Sequence, residues 1–259
     1  MRAVILAAGQ GIRLRPYTDD RPKCMVSLAG KPLIQHQLDV LEECDVTDVS
    51  IVTGYCSDQL EPYGRRRFHN SLYDRTNMVA SLICARQQMD GCDDVIVLYG
   101  DIVYERRVMD ELLGCDAPFS TTIDLDCFEL WKLRMEDPLS DMETLKLDEN
   151  QCIVELGKKP RSLTDVQGQY MGLTKIKKEF CSTVLSIYDS LDSAAKYDGH
   201  DLPNMYMTSL LQEIIDAGYS LKAVPVRGGW IEVDTSEDLE KYRGMLDDGQ
   251  LREYWIPSA

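Results

Sequence analysis

The chain has 259 residues, of which 44% are hydrophobic, and carries a formal net charge of −16. That length suits one large α/β domain, and that apolar content supports a buried core and argues against disorder. So acidic a surface disfavours nucleic acid as a partner, and no apolar run approaches the roughly 20 residues needed for membrane insertion. The first strand begins at once, without a basic region and an apolar core ahead of it, so no signal peptide is evident and a cytoplasmic location is expected. Nine cysteines are scattered with no Cys-x-x-Cys pair, which argues against zinc and a disulfide framework and for reduced thiols in a core.

In chain order, an apolar strand at Ala3–Ala7 runs into Ala8-Gly9-Gln10-Gly11, with Arg13 and Lys23 downstream. Gly9 and Gly11 remove side-chain bulk, so backbone N–H groups can approach an anion, and the two cations supply charge where a polyphosphate needs it. This reads as a grip on a nucleoside triphosphate. A dinucleotide fingerprint is excluded because position 14 is Leu14 rather than glycine, and a Walker loop because Gly30-Lys31 is followed by Pro32. The glycines alone also fit a plain tight turn between strand and helix.

A helix is expected over Leu33 to Glu43, and a buried strand over Asp48–Thr53 ending in Gly54-Tyr55. Arg65-Arg66-Arg67 reads as a solvated turn. A helix follows from Met78 to Met89 with Asn77 as its N-cap, then a strand at Val95–Tyr99 ending in Gly100-Asp101. Alternating strands and helices imply a doubly wound, mainly parallel, Rossmann-like sheet, whose ligands sit beyond the carboxyl ends of the strands. The first loop, Gly54-Tyr55 and Gly100-Asp101 all fall there. Shorter strands are expected at Phe119–Asp124, Leu145–Leu147, Cys152–Leu156 and Gln169–Lys175. Helices are expected at Lys177–Ser190, Met207–Ala217 and Ser236–Met245. The whole of 1–259 is read as one domain, with 1–115 as the nucleotide half and 116–259 as a mixed acceptor half. Asp101 and Asp234 each end an apolar strand, and two such carboxylates can converge on one Mg²⁺ together with substrate phosphates.

The ordered set Gly9, Gly11, Arg13, Pro16, Thr18, Pro22 and Lys23 resembles the nucleotidyltransferase family that condenses nucleoside triphosphates with sugar 1-phosphates or phosphocholine. The resemblance implies that Asp101 and Asp234 hold the metal and that Arg13 and Lys23 hold the triphosphate. Lys159, in Glu155-Leu156-Gly157-Lys158-Lys159-Pro160, inherits the acceptor phosphate, although Lys158 stands where the family has Glu. Tyr73 to Leu82, Gln169 to Gly172 and Asn204 to Ser209 resemble the phosphocholine cytidylyltransferase branch. The expected nucleotide is therefore CTP, bound by Leu6, Ala7, Ala8, Gly9, Gly11, Gly54, Tyr55, Asn77, Ser81 and Gly100. Trp131, Tyr170, Tyr206 and Trp230 offer part of an aromatic cage for a quaternary ammonium, with Glu232 as its countercharge, although each ring alone also fits ordinary packing. The reaction implied transfers CMP from CTP to a small phosphorylated alcohol or amine and releases pyrophosphate; a homodimer is compatible with it. The competing readings are a sugar-1-phosphate nucleotidyltransferase using UTP, dTTP or GTP, and a catalytically silent nucleotide sensor.

Overall fold

A computed structural model describes residues 1–64 and 66–258. Its first half contains β1 (Arg2–Ala7), β2 (Ser27–Leu28), β3 (Lys31–Pro32), α1 (Leu33–Glu43), β4 (Asp48–Thr53), β5 (Arg66–His69), α2 (Met78–Cys84), β6 (Val95–Tyr99), β7 (Ile102–Tyr104) and α3 (Arg106–Gly114). The second half continues with β8 (Phe119–Asp124), α4 (Cys127–Arg134), β9 (Leu145–Leu147), β10 (Cys152–Leu156), β11 (Gln169–Ile176), α5 (Lys178–Ser190), α6 (Met207–Asp216), β12 (Leu221–Val226), β13 (Trp230–Glu232) and α7 (Ser236–Asp247).

One nine-stranded sheet takes strands from both halves in the order β5-β4-β1-β6-β11-β8-β12-β10-β9. Strands β5, β4, β1 and β6 are mutually parallel, as are β8 and β12. Only β11 and β10 run against the rest of this sheet. The sheet is mixed but mainly parallel in direction, as expected. Alternation along β1 shows why it is doubly wound: Ala3, Ile5 and Ala7 face one core, while Val4 and Leu6 face the other. Helices α1, α3 and α7 supply Leu33, Ile34, Val108, Leu112 and Leu239 to the first core. Helices α2, α5 and α6 supply Leu82, Val184, Leu210 and Ile214 to the second.

Several expectations need correction. Arg66–His69 is no turn but an edge strand paired in parallel with β4, and Arg66 donates to the side chain of Gln88 (3.0 Å); Arg65 lies outside the described residues. The helix expected to Met89 ends at Cys84 and continues as a tighter 3-10 turn over Arg86–Met89. That winding turns both Gln88 and Met89 inward, where Arg2 also binds the Gln88 carbonyl at 3.1 Å.

A second, smaller element lies outside the main sheet. β7 and β13 form a two-stranded antiparallel ribbon in which Ile102 pairs with Glu232, and the Val233 N–H donates to the Asp101 carbonyl at 3.0 Å. Residues 130 positions apart in sequence are thereby aligned at the end of β6. Among the described residues no helix is long and apolar enough to cross a membrane.

Candidate active site

The loop after β1 is set by steric demands. Gly11 has φ +63°, a left-handed conformation, and a Cβ there would sit 3.0 Å from the Lys23 Cβ. The buried Thr18 hydroxyl donates to the Gly11 carbonyl at 2.7 Å and fixes the turn. Gly100 lets the end of β6 close on β1: its N–H donates to the Leu6 carbonyl at 3.0 Å, and a Cβ would meet that oxygen at 2.7 Å. From α1, the buried Gln37 amide donates to the carbonyls of Tyr99 (3.0 Å) and Ile102 (2.8 Å). Asp101 is thus presented from a turn held on both sides.

These constraints bring the charged groups together. Lys23 donates to Asp101 Oδ2 at 2.7 Å and to Asp234 Oδ1 at 2.6 Å, while Arg13 lies 2.6 Å from Asp234 Oδ2. Asp101, Glu232 and Asp234 each offer an oxygen within 4.8 Å of the others. Asp101 Oδ1 is buried and, among the described residues, has no hydrogen-bond partner. Three carboxylates with a spare inward oxygen fit a hard divalent cation, which takes oxygen ligands.

The electrostatics follow from this crowding. Burial alone would lower the Lys23 ammonium, but Asp101, Asp234 and Glu232 outweigh it and hold its pKa above the ordinary value. Burial opposes ionisation of Asp234, yet Lys23 and then Arg13 hold its carboxyl below the usual range. Glu232 is pushed up to about 7 by burial, with Asp101 and Asp234 adding to the shift and Arg134 opposing it. Glu143 is likewise pushed up to about 7, by burial first and then by Glu232, Asp141 and Asp198.

A cavity of about 370 Å³ opens above this cluster. It is lined by Leu6, Ala7, Ala8, Gly9, Gly11, Asn77, Ser81 and Gly100 among the residues expected to bind nucleotide, with Arg13, Lys23, Asp101 and Asp234 at its charged end. Asn77 caps α2 by accepting from the Met78 N–H (2.9 Å), and the Ser81 hydroxyl accepts from Asn70 (3.1 Å). Gly54 and Tyr55 are not in the lining; they form the layer behind it, the Tyr55 N–H donating to the Ala8 carbonyl at 3.2 Å. Sequence reasoning missed Tyr73, Thr76, Met78 and Tyr99 in the wall. The first three fall in the segment that resembles the phosphocholine cytidylyltransferase branch, and in the sequence Tyr99 carries no signal beyond that of a strand end.

The acceptor side departs from expectation. The four aromatic residues fall into separate ring pairs. Trp131 and Trp230 are buried against each other (centroids 6.2 Å apart), and their indole N–H groups donate to Asp141 and Asp124. Tyr170 packs edge-on against Tyr99, and Tyr206 against His200. Trp131, Tyr170 and Trp230 are drawn inward by the area they bury, whereas Tyr206 is exposed. Glu232 stands with the metal-type cluster and is paired with Arg134 at 2.8 Å, so its charge is already countered. Lys159 is exposed and donates to the carbonyls of Leu139 (2.7 Å) and Ser140, outside the cavity lining.

Residues 3–122 match the MobA-like NTP transferase domain. The CTP:phosphoglutamine cytidylyltransferase of Campylobacter jejuni is 39% identical over 249 residues, covering 93% of this chain and 98% of that protein. The chain belongs to the nucleotidyltransferase family. Within that family it groups with cytidylyltransferases. The choline-phosphate cytidylyltransferase of Streptococcus pneumoniae is 40% identical over 93 residues, which is 34% of this chain and 41% of that protein. The fold of a nucleotidyltransferase is shared with the solved CTP:phosphocholine cytidylyltransferase from Streptococcus pneumoniae (TM-score 0.72, 22% identity, 95% of this chain and 98% of that one). It is shared equally with the inositol-1-phosphate CTP transferase from T. maritima (TM-score 0.73, 18% identity, 98% and 97%).

Proposed function

We propose that this chain is a Mg²⁺-dependent cytidylyltransferase that moves CMP from CTP onto a small phosphorylated amine and releases pyrophosphate in the cytoplasm. The observation that carries the reading is the convergence of Arg13, Lys23, Asp101 and Asp234 at one end of the cavity beside the first loop. An acceptor phosphate oxygen forms a bond to the α-phosphorus of CTP. The bond from that phosphorus to the bridging oxygen breaks, and pyrophosphate leaves with the electron pair. Phosphate is already ionised, so the step asks for position and charge neutralisation more than for a general base.

Each residue then has a task. The N–H groups of the loop around Gly9 and Gly11 cradle the phosphates. Arg13 and Lys23, now held by carboxylates, turn to the triphosphate and stabilise the departing pyrophosphate. Asp101 and Asp234 would hold the Mg²⁺ with Glu232 beside them, and the ion would supply charge neutralisation around the α-phosphorus. Lys159 serves the acceptor phosphate by exchanging its carbonyl partners for it.

For the acceptor, the aromatic residues lie in separate ring pairs, with Trp131 and Trp230 buried against each other. With the relation to the Campylobacter enzyme, this favours an amino-acid-derived phosphate such as phosphoglutamine over phosphocholine. A pyrophosphate-release assay with CTP, UTP, dTTP and GTP against phosphoglutamine, phosphocholine and glucose 1-phosphate tests the reading. Turnover confined to CTP with an amine acceptor is expected; turnover of glucose 1-phosphate with no response to the other two acceptors refutes it.

A further inference from the structure

Arg134, at the end of α4, has a fully buried side chain and yet binds two separate carboxylates. Its Nη1 donates to Glu232 Oε2 at 2.8 Å, while Nε and Nη2 reach the two oxygens of Asp238 at 3.2 and 3.3 Å. The guanidinium lies over the Trp131 ring, 5.1 Å from its centroid, which fixes its plane. Asp238 in turn accepts the backbone N–H groups of Asp234 (3.1 Å) and Thr235 (3.0 Å). One side chain therefore fixes the carboxylate of Glu232 directly and, through Asp238, the backbone that carries Asp234.

That arrangement exceeds what stability requires. Buried ion pairs are costly to desolvate, and apolar replacements of similar volume are often as stable. The cap of α7 is also complete without Arg134, since Thr235 and Asp238 exchange the two hydrogen bonds of a capping box. The planar fork of an arginine is what spans two carboxylates at fixed spacing, and a lysine offers only a point charge.

We propose that Arg134 is a positioning residue that sets the spacing of Glu232 and Asp234, and through it the divalent-cation affinity of the site. The inference rests on the reading of Asp101, Glu232 and Asp234 as a cation site. Its test is Mn²⁺ binding without nucleotide, followed by the electron paramagnetic resonance of free Mn²⁺, in the wild type, Arg134→Met, Arg134→Lys and Asp238→Asn. Circular dichroism establishes which variants are folded. Outer partners of metal ligands typically change affinity by about 10- to 100-fold. Losses of that order are expected for Arg134→Met and Asp238→Asn, with Arg134→Lys in between. A residue that merely supports the fold would lower thermal stability and leave Mn²⁺ affinity unchanged. Folded variants that bind Mn²⁺ as the wild type does, or a wild type that binds none, overturn the proposal. Should Arg134→Met fail to fold, the other two variants decide. Arg134-dependent binding in a protein that cannot transfer CMP would uphold this inference while removing the CTP reading.

Discussion

Lys23 is the residue on which the resting site depends. Its ammonium sits between Asp101 and Asp234, with Glu232 adding to the negative field. Replacing it with methionine leaves three carboxylates facing one another, with Arg13 on Asp234 and Arg134 on Glu232. Breaking a buried pair of this kind costs about 3–5 kcal/mol. The sign with pH follows from Asp234, whose pKa is lowered in the fold: the stabilisation is present above the unfolded carboxylate value and is lost as pH falls through the folded one. Urea denaturation of Lys23→Met is therefore expected to show its largest deficit near neutral pH and a shrinking one in acid. Added Mg²⁺ should recover more stability in the variant than in the wild type, since a cation that binds only the folded state stabilises it. A deficit that grows on acidification contradicts this account of the pair.

At the scale of elements, α1 does more than pack. Gln37 reaches from it to the carbonyls on both sides of Gly100-Asp101, so the turn that presents the carboxylate is held by a helix remote in sequence. Gln37→Leu leaves two buried carbonyls without this donor, at a cost of about 1–3 kcal/mol. It is expected to lower kcat by about tenfold with little change in KM for CTP; a raised KM with kcat intact would assign Gln37 to nucleotide binding instead.

The strands at Asp48–Thr53, Val95–Tyr99 and Phe119–Asp124 and the helix at Leu33–Glu43 were legible because their apolar period or run matches one buried face or two. The elements that escaped had weaker local signals. β12 contains Pro225, which demotes a strand pattern. β12 is held at Pro225 by β8, where Pro225 pairs with Ile123, while β10 pairs with β12 only at Leu221 and Lys222, so the β10 side of the strand is open at the proline. β7 begins directly after Gly100-Asp101 and pairs only with β13, a contact that no local pattern announces. Helix α3 did carry a signal, with Val108, Met109 and Leu112 on one face, but its charged start obscured it. The first loop and both aspartates were legible for the opposite reason. A steric demand for glycine and an abrupt change from apolar strand to carboxylate are written in consecutive residues. Where the four large rings pack was not legible, since composition cannot say which way a ring faces.

For the whole molecule, the decisive feature is how distant segments meet at one end of the sheet. β1 and β6 lie side by side, and the β7–β13 ribbon carries Asp234 across from the second half to meet Asp101. The protein bears a net charge of −16, so in the proposed reaction Arg13 and Lys23 would draw the anionic substrates in against the field of the rest of the surface. A divalent cation would work in the same direction. Turnover and fold should then separate cleanly at one position. Asp101→Ala removes a carboxylate whose Oδ1 has no protein partner among the described residues and leaves Lys23 still paired with Asp234, so the fold is expected to survive, with some loss of stability, while the chemistry fails.

The most direct test is pyrophosphate release by Asp101→Ala beside the wild type, with CTP, Mg²⁺ and phosphoglutamine, after circular dichroism has shown both to be folded. Activity lower by a factor of about 10³ or more is expected, in line with the loss of a principal electrostatic contributor to the transition state. A folded Asp101→Ala protein that keeps turning over at the wild-type rate would contradict the account.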